Sequence, residues 1–370
     1  MSMFLSLEDL RPVLSNLAGI LQDPLYHGEG DVLAHTRLVM EELEKLPSFL
    51  ALSKDEQDDM RVAAALHDLG KKVCTRLEDG RWKAPNHSAA GAKMTRELLM
   101  GQFGLCGTPE SLRRREAICA LIRWHMKPQH IFEAGSPGRA VRQMAAAGEL
   151  TGRFTLEKLA ILAEADSRGR VCADQPGQLE AIDLFRMLAG DEGCFRCPFP
   201  YEDACTRYAD LSGKSYLPDQ PVYDGTWGIV IMMSGLPGTG KDTYAAQHFA
   251  GLPMLSLDDL RREMDVSPGE DEGAVAQKGR ERARALLRKR QPFVFNATNL
   301  SGMIRSKWIS LFHQYGAAVK IIYLETGRTE RERRNLSRRD CVPEAAVGRM
   351  LRNLTPPALT EAEEICWVCI

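Results

Sequence analysis

Long apolar runs are missing from this sequence of 370 residues, and none approaches the length that crosses a bilayer. The sequence also lacks internal repeats and low-complexity tracts, which excludes a solenoid and a compositionally biased architecture. An excess of charge of one sign is absent too, because 48 Lys and Arg stand against 50 Asp and Glu, for a formal net charge of -2. Any contact with nucleic acid must therefore come from a local basic face rather than from a polycationic surface.

A secretory signal is also lacking, and the ten cysteines are scattered along the chain. This combination predicts reduced thiols in a cytoplasmic protein with no membrane partner. Cys194, Cys197 and Cys205 could supply three ligands to a structural zinc ion, but no fourth ligand is evident. We therefore expect free buried thiols and no metal at these positions.

The length, with 44% hydrophobic and 26% charged residues, is sufficient for two cores. Apolar residues at helical spacing fill the segments that begin at Asp31, Arg61, His87 and Arg114, and few strand-like runs precede Gly228. Strand and helix then alternate, as in a parallel α/β sheet. The strand candidates are 229–233, 254–257, 293–296, 319–324 and 365–368. We predict an all-α domain over residues 1–190, an ordered connector rich in Cys, Pro and aromatic residues over 191–226, and an α/β domain over 227–370.

The most informative segment is SGLPGTGKDT, from Ser234 to Thr243, behind the apolar run 229–233. A glycine-rich loop between a strand and a helix turns its backbone amides toward phosphates, and Lys241 can reach the β and γ phosphates. An ordinary strand, turn and helix is the alternative, but the spacing that ends in Gly-Lys favours a nucleotide site. The candidate contacts are Gly235, Gly238, Thr239, Gly240, Lys241, Asp242 and Thr243.

Asp242 stands where such a loop normally carries the Ser or Thr that holds Mg²⁺, and Thr243 follows it. The carboxylate could bind Mg²⁺ directly or through water, or it could cap the helix and leave the ion to water, the nucleotide and Thr243. A negative charge beside a triphosphate is unfavourable unless a cation lies between them, so we favour the metal role. The expected cofactor is Mg²⁺ with ATP or another NTP.

Histidines and aspartates of the first half are spaced as the ligands of a metal site would be. They are His35, His67 with the adjacent Asp68, His87, His125 and Asp166. Any one of these histidines alone would more often be a surface or a satisfied core residue. Imidazole combined with carboxylate suits Mn, Fe, Co, Ni or Zn. Lys71, one turn beyond Asp68, could meet a phosphate bound to the metal.

In this order, and with the surroundings HDLGK, HSAAGA, IRWHMKP and ADSRGR, these residues resemble the HD phosphohydrolase superfamily, and most of all the HD domains attached to tRNA nucleotidyltransferases. The resemblance runs from about residue 30 to residue 170. It implies an all-helical, metal-dependent phosphomonoesterase or phosphodiesterase that holds one or two ions. By this resemblance His35, His67, Asp68 and Asp166 hold one ion, Asp68 with His87 and His125 holds a second, and Lys71 stabilises negative charge.

The segment MLSLDDLRREM places Asp258, Asp259 and Arg261 just after a short strand, where open α/β sheets bind ligands. On spacing alone, an aspartate that caps the next helix is an equal alternative. A strand followed by Asp-Asp-hydrophobic-Arg, downstream of this kind of loop, resembles the 5′-hydroxyl polynucleotide kinases. The resemblance implies that Asp258 is the general base for the 5′-OH and that Arg261 binds a phosphate of the acceptor strand.

The kinase resemblance continues to about residue 370. FNATNLSGMIR is similar to the segment after the third strand of these kinases, although Ala297 occupies the position of their usual Asp. The basic run RTERERRNLSRRDCVP, from Arg328, would ordinarily be a solvated helix face. Its spacing resembles the kinase lid, which implies that Arg338 clamps the donor phosphates, with Arg334 and Arg339 as further candidates.

An HD phosphohydrolase ahead of a polynucleotide kinase resembles the bacterial HD-Pnk RNA end-healing enzymes. That resemblance implies that one domain removes a 2′,3′-cyclic or terminal phosphate at RNA 3′ ends. The other domain would phosphorylate 5′-OH ends from an NTP, in preparation for a separate RNA ligase. Two alternatives remain open: a salvage enzyme that acts on small-molecule nucleotides, and a non-catalytic nucleotide-sensing scaffold.

Overall fold

The computed structural model describes residues 7–215, 217–266, 270–338 and 340–370, and the chain divides into two compact units. The first unit contains residues up to 105 together with 110–200, and the second contains 106–109 together with 201–370. Residues 191–226, predicted as a connector, divide between the two units and include a helix, Ala204–Leu211. No helix within the described ranges is long and apolar enough to span a membrane.

The first half of the chain is helical, as its periodicity predicts. Its helices are α1 (Leu7–Ser15), α2 (Val32–Leu43), α3 (Pro47–Leu50), α4 (Lys54–Leu66), α5 (Lys71–Cys74), α6 (His87–Gly101), α7 (Pro109–Trp124), α8 (Pro137–Thr151), α9 (Leu156–Arg168) and α10 (Gln175–Asp191), with a 3₁₀ helix at Pro128–Glu133. Asp31 caps α2 by accepting a hydrogen bond from the Ala34 amide at 2.8 Å. Ser53 and Glu56 form a capping box at α4. These signals fix where the helices begin.

A short β-hairpin interrupts the helices and was not predicted. Strands β1 (Arg76–Glu78) and β2 (Arg81–Lys83) pair antiparallel, with Glu78 opposite Arg81. Asp79 and Gly80 form the two-residue turn, with φ angles of 52° and 74°. Positive φ at both turn positions matches the strand twist of a two-residue hairpin, and Asp-Gly is a favoured pair there. The Asp79-Gly80 dipeptide was therefore a sequence signal for this hairpin.

The second unit alternates strands and helices, as predicted. Its elements are α11 (Ala204–Leu211), β3 (Ile229–Ser234), α12 (Lys241–His248), β4 (Met254–Ser256), α13 (Leu257–Glu263), α14 (Glu272–Arg288), β5 (Phe293–Asn296), α15 (Gly302–Gln314), β6 (Ala318–Glu325), α16 (Arg328–Leu336), α17 (Glu344–Arg352) and β7 (Glu364–Cys369). The five strands pair parallel in the order β4-β5-β3-β6-β7. All five strand candidates are thereby confirmed: 293–296 agrees at both ends, and no end of the other four differs by more than one residue.

The central strand β3 is buried on both faces. Val230 and Met232 pack into one apolar cluster, while Ile231 and Met233 pack into another on the opposite face. Because the strands run parallel, the carboxyl ends of the neighbours β3, β5 and β4 meet at one edge of the sheet. The glycine-rich loop, Asn296 and the Asp258 segment follow these three ends.

Candidate metal centre and phosphate-binding loop

Six predicted ligand residues meet inside the first unit, carried by five different helices or helix ends. They are His35 on α2, His67 and Asp68 after α4, His87 at the start of α6, His125 after α7 and Asp166 on α9. All are buried except His87, whose side chain is 14% exposed. Four imidazoles and two carboxylates are thus gathered in the interior of one unit, where a buried carboxylate requires a positively charged partner.

Backbone carbonyls fix which imidazole nitrogens can bind an ion. The Nδ1 atoms of His67, His87 and His125 each lie 2.8 Å from the carbonyl oxygen three residues earlier in the chain. Such a carbonyl accepts the Nδ1–H proton, which leaves the lone pair of the neutral imidazole on Nε2. All three Nε2 atoms point toward the cluster.

Asp68 lies between two pairs of imidazoles. Its Oδ2 is 3.3 Å from Nε2 of His67 and 3.7 Å from Nε2 of His35, while its Oδ1 is 3.3 Å and 3.9 Å from Nε2 of His87 and His125. The Nε2 atoms of the first pair are 3.4 Å apart and those of the second 3.3 Å apart. Asp68 Oδ1 makes no hydrogen bond to any of the described residues. Facing lone pairs and an orphaned carboxylate oxygen fit one or two divalent cations bridged by Asp68.

Asp166 lies beside His35 and His67 and, together with Asp68, completes the first group of candidate metal ligands. Its Oδ1 lies 3.0 Å from His35 Nε2 and 3.8 Å from His67 Nε2, and Arg170 Nη2 donates to its Oδ2 at 2.6 Å. Burial alone would raise the pKa of Asp166, but the charge of Arg170 and the contact with His35 hold it well below its usual range. The carboxylate stays ionised, as a metal ligand must be.

The second group is also in the protonation state that metal binding requires. Burial, followed by the neighbouring His67 and His87, lowers the pKa of His125 to about 3, so this imidazole is neutral near pH 7. Burial would raise the pKa of Asp68, but Lys71 and His67 hold it well below its usual range. Lys71 Nζ forms an ion pair with Asp68 Oδ2 at 2.8 Å and donates a hydrogen bond to Gln22 Oε1 at 2.6 Å, which places its ammonium beside the cluster.

Glu29, which was not predicted from the sequence, is buried next to the cluster. Its Oε1 lies 2.9 Å from Nδ1 of His35 and accepts from Nδ1 of His27 at 2.7 Å, and its Oε2 accepts from the Val171 amide at 2.8 Å. A carboxylate that accepts from the far nitrogen of a metal-binding imidazole orients the ring and increases its basicity. The polar run HGEGD just before α2 was the available signal.

A cleft of about 700 Å³ borders the cluster within the first unit. His87, Lys71 and Arg170 belong to its lining, as do the more exposed Tyr26 and Lys83. The volume is in the range of small-ligand sites. Cationic groups and the cluster thus face one solvent-accessible space.

In the second unit, the glycine-rich loop has the backbone that the sequence requires. Gly235, Gly238 and Gly240 have φ angles of 147°, 82° and 85°. A Cβ at Gly235 would lie 2.5 Å from the carbonyl oxygen of Leu324, and one at Gly238 would lie 2.5 Å from that of Arg331. Only glycine allows both this φ and this close approach.

The segment after β5 braces the loop through backbone contacts. The Gly235 amide donates to the carbonyl of Thr298 at 2.9 Å, and Ser234 Oγ donates to the carbonyl of Asn299 at 3.0 Å. The Asn299 side chain donates to the Met233 carbonyl at 2.8 Å. Thr298 and Asn299 therefore support the phosphate loop, while Ala297 offers no polar group there.

Lys241 is buried, and its Nζ donates to the carbonyls of Gly235 and Leu236 at 2.9 and 3.0 Å. Burial lowers the pKa of Lys241 to about 8, although the charges of Asp242 and Asp258 act in the opposite direction. The ammonium lies inside the curve of the loop. An anion there would restore its full charge.

Asp242 and Thr243 are exposed at the start of α12. The helix is preceded by Gly240 without a side-chain cap, and Asp242 instead accepts from Asn296 Nδ2 at 2.5 Å. Asn296, which was not predicted as a site residue, is buried at the end of β5, and its Oδ1 has no partner among the described residues. Two hard oxygens, of the kind that Mg²⁺ accepts, thus lie beside the loop.

Three predicted kinase residues meet near the loop. Asp258 Oδ1 accepts from Arg261 Nη1 at 2.7 Å, and its Oδ2 lies 3.4 Å from Arg338 Nη2. The cap of α13 is Ser256, whose Oγ accepts from the Asp259 amide at 3.2 Å. Asp258 is therefore not the capping residue, and its carboxylate, 55% exposed, is open to solvent.

Most arginines of the basic helix α16 are arranged as on a solvated helix face. Arg328, Arg333 and Arg334 pair with glutamates one turn away on the same helix, which is the arrangement of a solvated face. Arg338 lies beyond the helix end and turns to Asp258 instead. The further candidate Arg339 lies outside the described residues.

The three cysteines near the unit boundary are free thiols with different burial. Cys194 is buried, Cys205 is half-buried and Cys197 is exposed. The prediction of buried thiols is therefore wrong for Cys197. Cys197 lies at the surface, where its Sγ is 3.7 Å from the Gly193 carbonyl oxygen.

Comparisons with known proteins agree with the division of the chain into a helical unit and an α/β unit. The family model of the HD domain matches residues 32–168, and that of the AAA domain matches residues 230–357. Over 94 residues, 25% of its length, the chain is 35% identical to the multifunctional CCA protein of Hahella chejuensis (strain KCTC 2396), and this match covers 20% of that relative. The chain thus joins a helical HD domain of the phosphohydrolase type to a P-loop kinase-like domain, a combination that supports processing of nucleotide or nucleic-acid phosphates.

Proposed function

We propose that the protein heals RNA ends. Its HD domain would hydrolyse a 2′,3′-cyclic phosphate or a terminal phosphate at RNA 3′ ends, and its kinase domain would transfer the γ phosphate of an NTP to 5′-OH ends. A ligase cannot join a blocked 3′ end to a 5′-OH end. The two reactions together would convert these ends into ends that a separate RNA ligase can join. The proposed partners are therefore such RNA ends, an NTP and that ligase.

The donor set of the HD domain supports the hydrolytic half. His35, His67, Asp68 and Asp166 would hold one divalent ion, and Asp68 would share a second with His87 and His125. A transition-metal ion such as Mn, Fe, Co, Ni or Zn supplies a low-pKa water and neutralises phosphoryl charge. The chain's own residues fix the carboxylates in their ionised form, and Lys71 adds a positive charge next to Asp68.

The single observation that carries the proposal is the position of Asp258 between two arginines beside a phosphate loop. A carboxylate there can accept the proton of an attacking hydroxyl, while Arg338 binds donor phosphates and Arg261 binds a phosphate of the acceptor. Arg261 also pairs with Glu272, whose Oε2 lies 2.5 Å from its Nη2. These contacts fix the orientation of the Arg261 guanidinium group. A second phosphate contact on the acceptor side favours a polynucleotide over a small metabolite.

The same edge of the sheet would hold Mg²⁺ with the nucleotide. Asp242 and the unpartnered Oδ1 of Asn296 are its protein candidates, alone or through water. Thr243 is adjacent and exposed. The carboxylate would then replace the hydroxyl that such loops usually present.

Acceptor titrations with the Arg261→Ala variant test this assignment. We expect kcat/KM for 5′-OH oligoribonucleotides to fall about tenfold or more, because one charge-assisted phosphate contact is lost, while ATP affinity stays near the wild-type value. Arg262→Ala is the matched control, since this neighbour pairs with Asp259 and Asp340 rather than with Asp258. An unchanged oligonucleotide titration in Arg261→Ala would favour the small-molecule salvage enzyme.

A further inference from the structure

The β-hairpin, the segment before α2 and the 3₁₀ helix Pro128–Glu133 contribute aromatic and basic residues to the rim of the HD cleft. Tyr26, Trp82 and His130 all belong to the cleft lining, and we call these three residues the aromatic rim. Arg81 and Lys83, on either side of Trp82 in β2, line the same cleft. Neither the metal donors nor the kinase residues account for this group.

The rim is held in place by contacts within the first unit. Arg81 Nε donates to Asp23 Oδ2 at 2.8 Å, and the Arg81 guanidinium lies over the Tyr26 ring, 5.6 Å from its centroid. The Asp79-Gly80 turn fixes the register of the hairpin, which sets Trp82 opposite Leu77. The hairpin is therefore joined to the Asp23–Tyr26 segment rather than projecting alone into solvent.

Two of the acidic groups near the rim already have side-chain partners. Asp23 pairs with Arg81, and Glu133 Oε1 lies 2.7 Å from His130 Nδ1. Lys83 and the buried Lys71 and Arg170 add positive charge to the same cleft. A ligand with an anionic end and a flat aromatic body matches this lining, because the phosphate can lie near Lys71 and the ring can stack on the rim.

We propose that the aromatic rim is a nucleobase subsite, in which the base of the terminal nucleotide at an RNA 3′ end stacks on Trp82 while its phosphate reaches the metal centre. This inference rests on the proposed function of the HD domain and specifies its substrate as a nucleotide end rather than any phosphate ester. Stacking on an aromatic side chain tolerates all four bases, so the subsite selects for a base without selecting its identity. Tyr26 and His130 would border the base, and Arg81 would fix Tyr26.

A matched pair of substrates tests the subsite on the full-length, metal-loaded protein. One is an RNA trinucleotide with a 3′-phosphate, and the other is the same molecule with an abasic terminal nucleotide. We expect the wild type to prefer the first substrate, and Trp82→Ala to lower kcat/KM about tenfold for it while leaving the abasic substrate unaffected. Trp82→Phe should retain part of the preference, because a smaller aromatic ring still stacks.

Leu77→Ala is the matched control for the hairpin, since Leu77 is the cross-strand partner of Trp82, is 57% exposed and is not part of the cleft lining. It should keep the base preference. Equal losses on both substrates in Trp82→Ala, or a base preference that survives this substitution, would overturn the subsite.

A binding measurement distinguishes failure of this inference from failure of the proposed function. The two trinucleotides are titrated into the protein, and binding is measured by the change in tryptophan fluorescence. Quenching by the base-carrying ligand that disappears in Trp82→Phe supports the subsite even if no phosphate is released, and in that case only the hydrolytic proposal fails. If phosphate is released but neither the quenching nor the rate depends on the terminal base, the hydrolytic proposal would stand and the subsite would be refuted.

Discussion

One buried carboxylate oxygen of Glu29 lies between two imidazoles, 2.7 Å from Nδ1 of the cleft residue His27 and 2.9 Å from Nδ1 of the predicted metal ligand His35. Replacing Glu29 by glutamine keeps the size but removes the charge that orients His35 and raises its basicity. We expect Glu29→Gln to weaken Mn²⁺ or Co²⁺ binding about 10- to 100-fold. Isothermal titration of the demetallated protein measures this affinity directly.

Glu133→Gln is the control for that change, because Glu133 also contacts an imidazole, His130, that is not one of the metal donors. The control should bind metal like the wild type. Equal metal affinity in Glu29→Gln and the wild type would show that Glu29 has only a packing role.

Lys241 gives the phosphate loop a measurable pH dependence. Burial lowers its pKa to about 8 when no phosphate is bound, whereas a bound triphosphate favours the charged ammonium. The affinity for NTP should therefore be greatest below pH 8 and fall by up to about tenfold per pH unit as the pH rises above it.

ATP titrations between about pH 7 and pH 9.5 check this direction, with Lys241→Arg as the comparison, because a guanidinium stays charged throughout that range. The variant should show little pH dependence whatever its absolute affinity. The same slope in both proteins would assign the titration to another group.

At the residue scale, the sequence predicted the ligand types but not their supporting partners. His35 and Asp166 are 131 positions apart, and their contact exists only because α2 and α9 pack together. Glu29 and Asn296 were not predicted as site residues, because the relevant observation for each is a contact in the folded structure. Glu29 contacts His35, and Asn296 contacts Asp242. Family motifs cover residues that are expected to touch the reacting atoms, whereas Glu29 and Asn296 contact such residues.

At the scale of elements, the glycine-rich loop lies against α16, and Gly238 is the point of contact. Its φ is 82°, and a Cβ added at this position would lie 2.5 Å from the Arg331 carbonyl oxygen, so there is no room for a side chain. Gly238→Ala should destabilise the kinase unit by about 1–3 kcal/mol and remove most NTP binding. Thermal unfolding with and without ATP measures both effects.

Gly251→Ala serves as the comparison, because a Cβ there would meet nothing within 4 Å. It should retain the ATP-induced rise in Tm. If Gly238→Ala kept that rise as well, the close approach of α16 to the loop would not limit nucleotide binding.

Element types followed from the sequence more reliably than element ends. Helical periodicity predicted α2, α4, α6 and α7, and apolar runs predicted all five strands of the parallel sheet. The hairpin at Arg76–Lys83 was missed because its strands have three residues each, too short to show alternation, although Asp79-Gly80 marks the turn. Ser256 caps α13 two residues before Asp258, a distinction that spacing alone did not make.

At the scale of the whole molecule, the two phosphate sites belong to different compact units and use different kinds of ligand. An imidazole-rich cluster favours transition metals, whereas the candidate ligand atoms beside the loop, on Asp242 and Asn296, are oxygen atoms that suit Mg²⁺. Mg²⁺ alone should therefore support the kinase, while hydrolysis should require a transition metal. Each activity should also be removable without the other.

One assay tests this account most directly: an oligoribonucleotide with a 5′-OH and a 2′,3′-cyclic phosphate is incubated with labelled ATP, Mg²⁺ and Mn²⁺, and both ends are analysed by mass. The wild type should convert both ends, Asp68→Ala should phosphorylate the 5′ end and leave the 3′ end blocked, and Asp258→Ala should do the reverse. A folded single variant that loses both activities, or a wild type that leaves either end unchanged, would contradict the account.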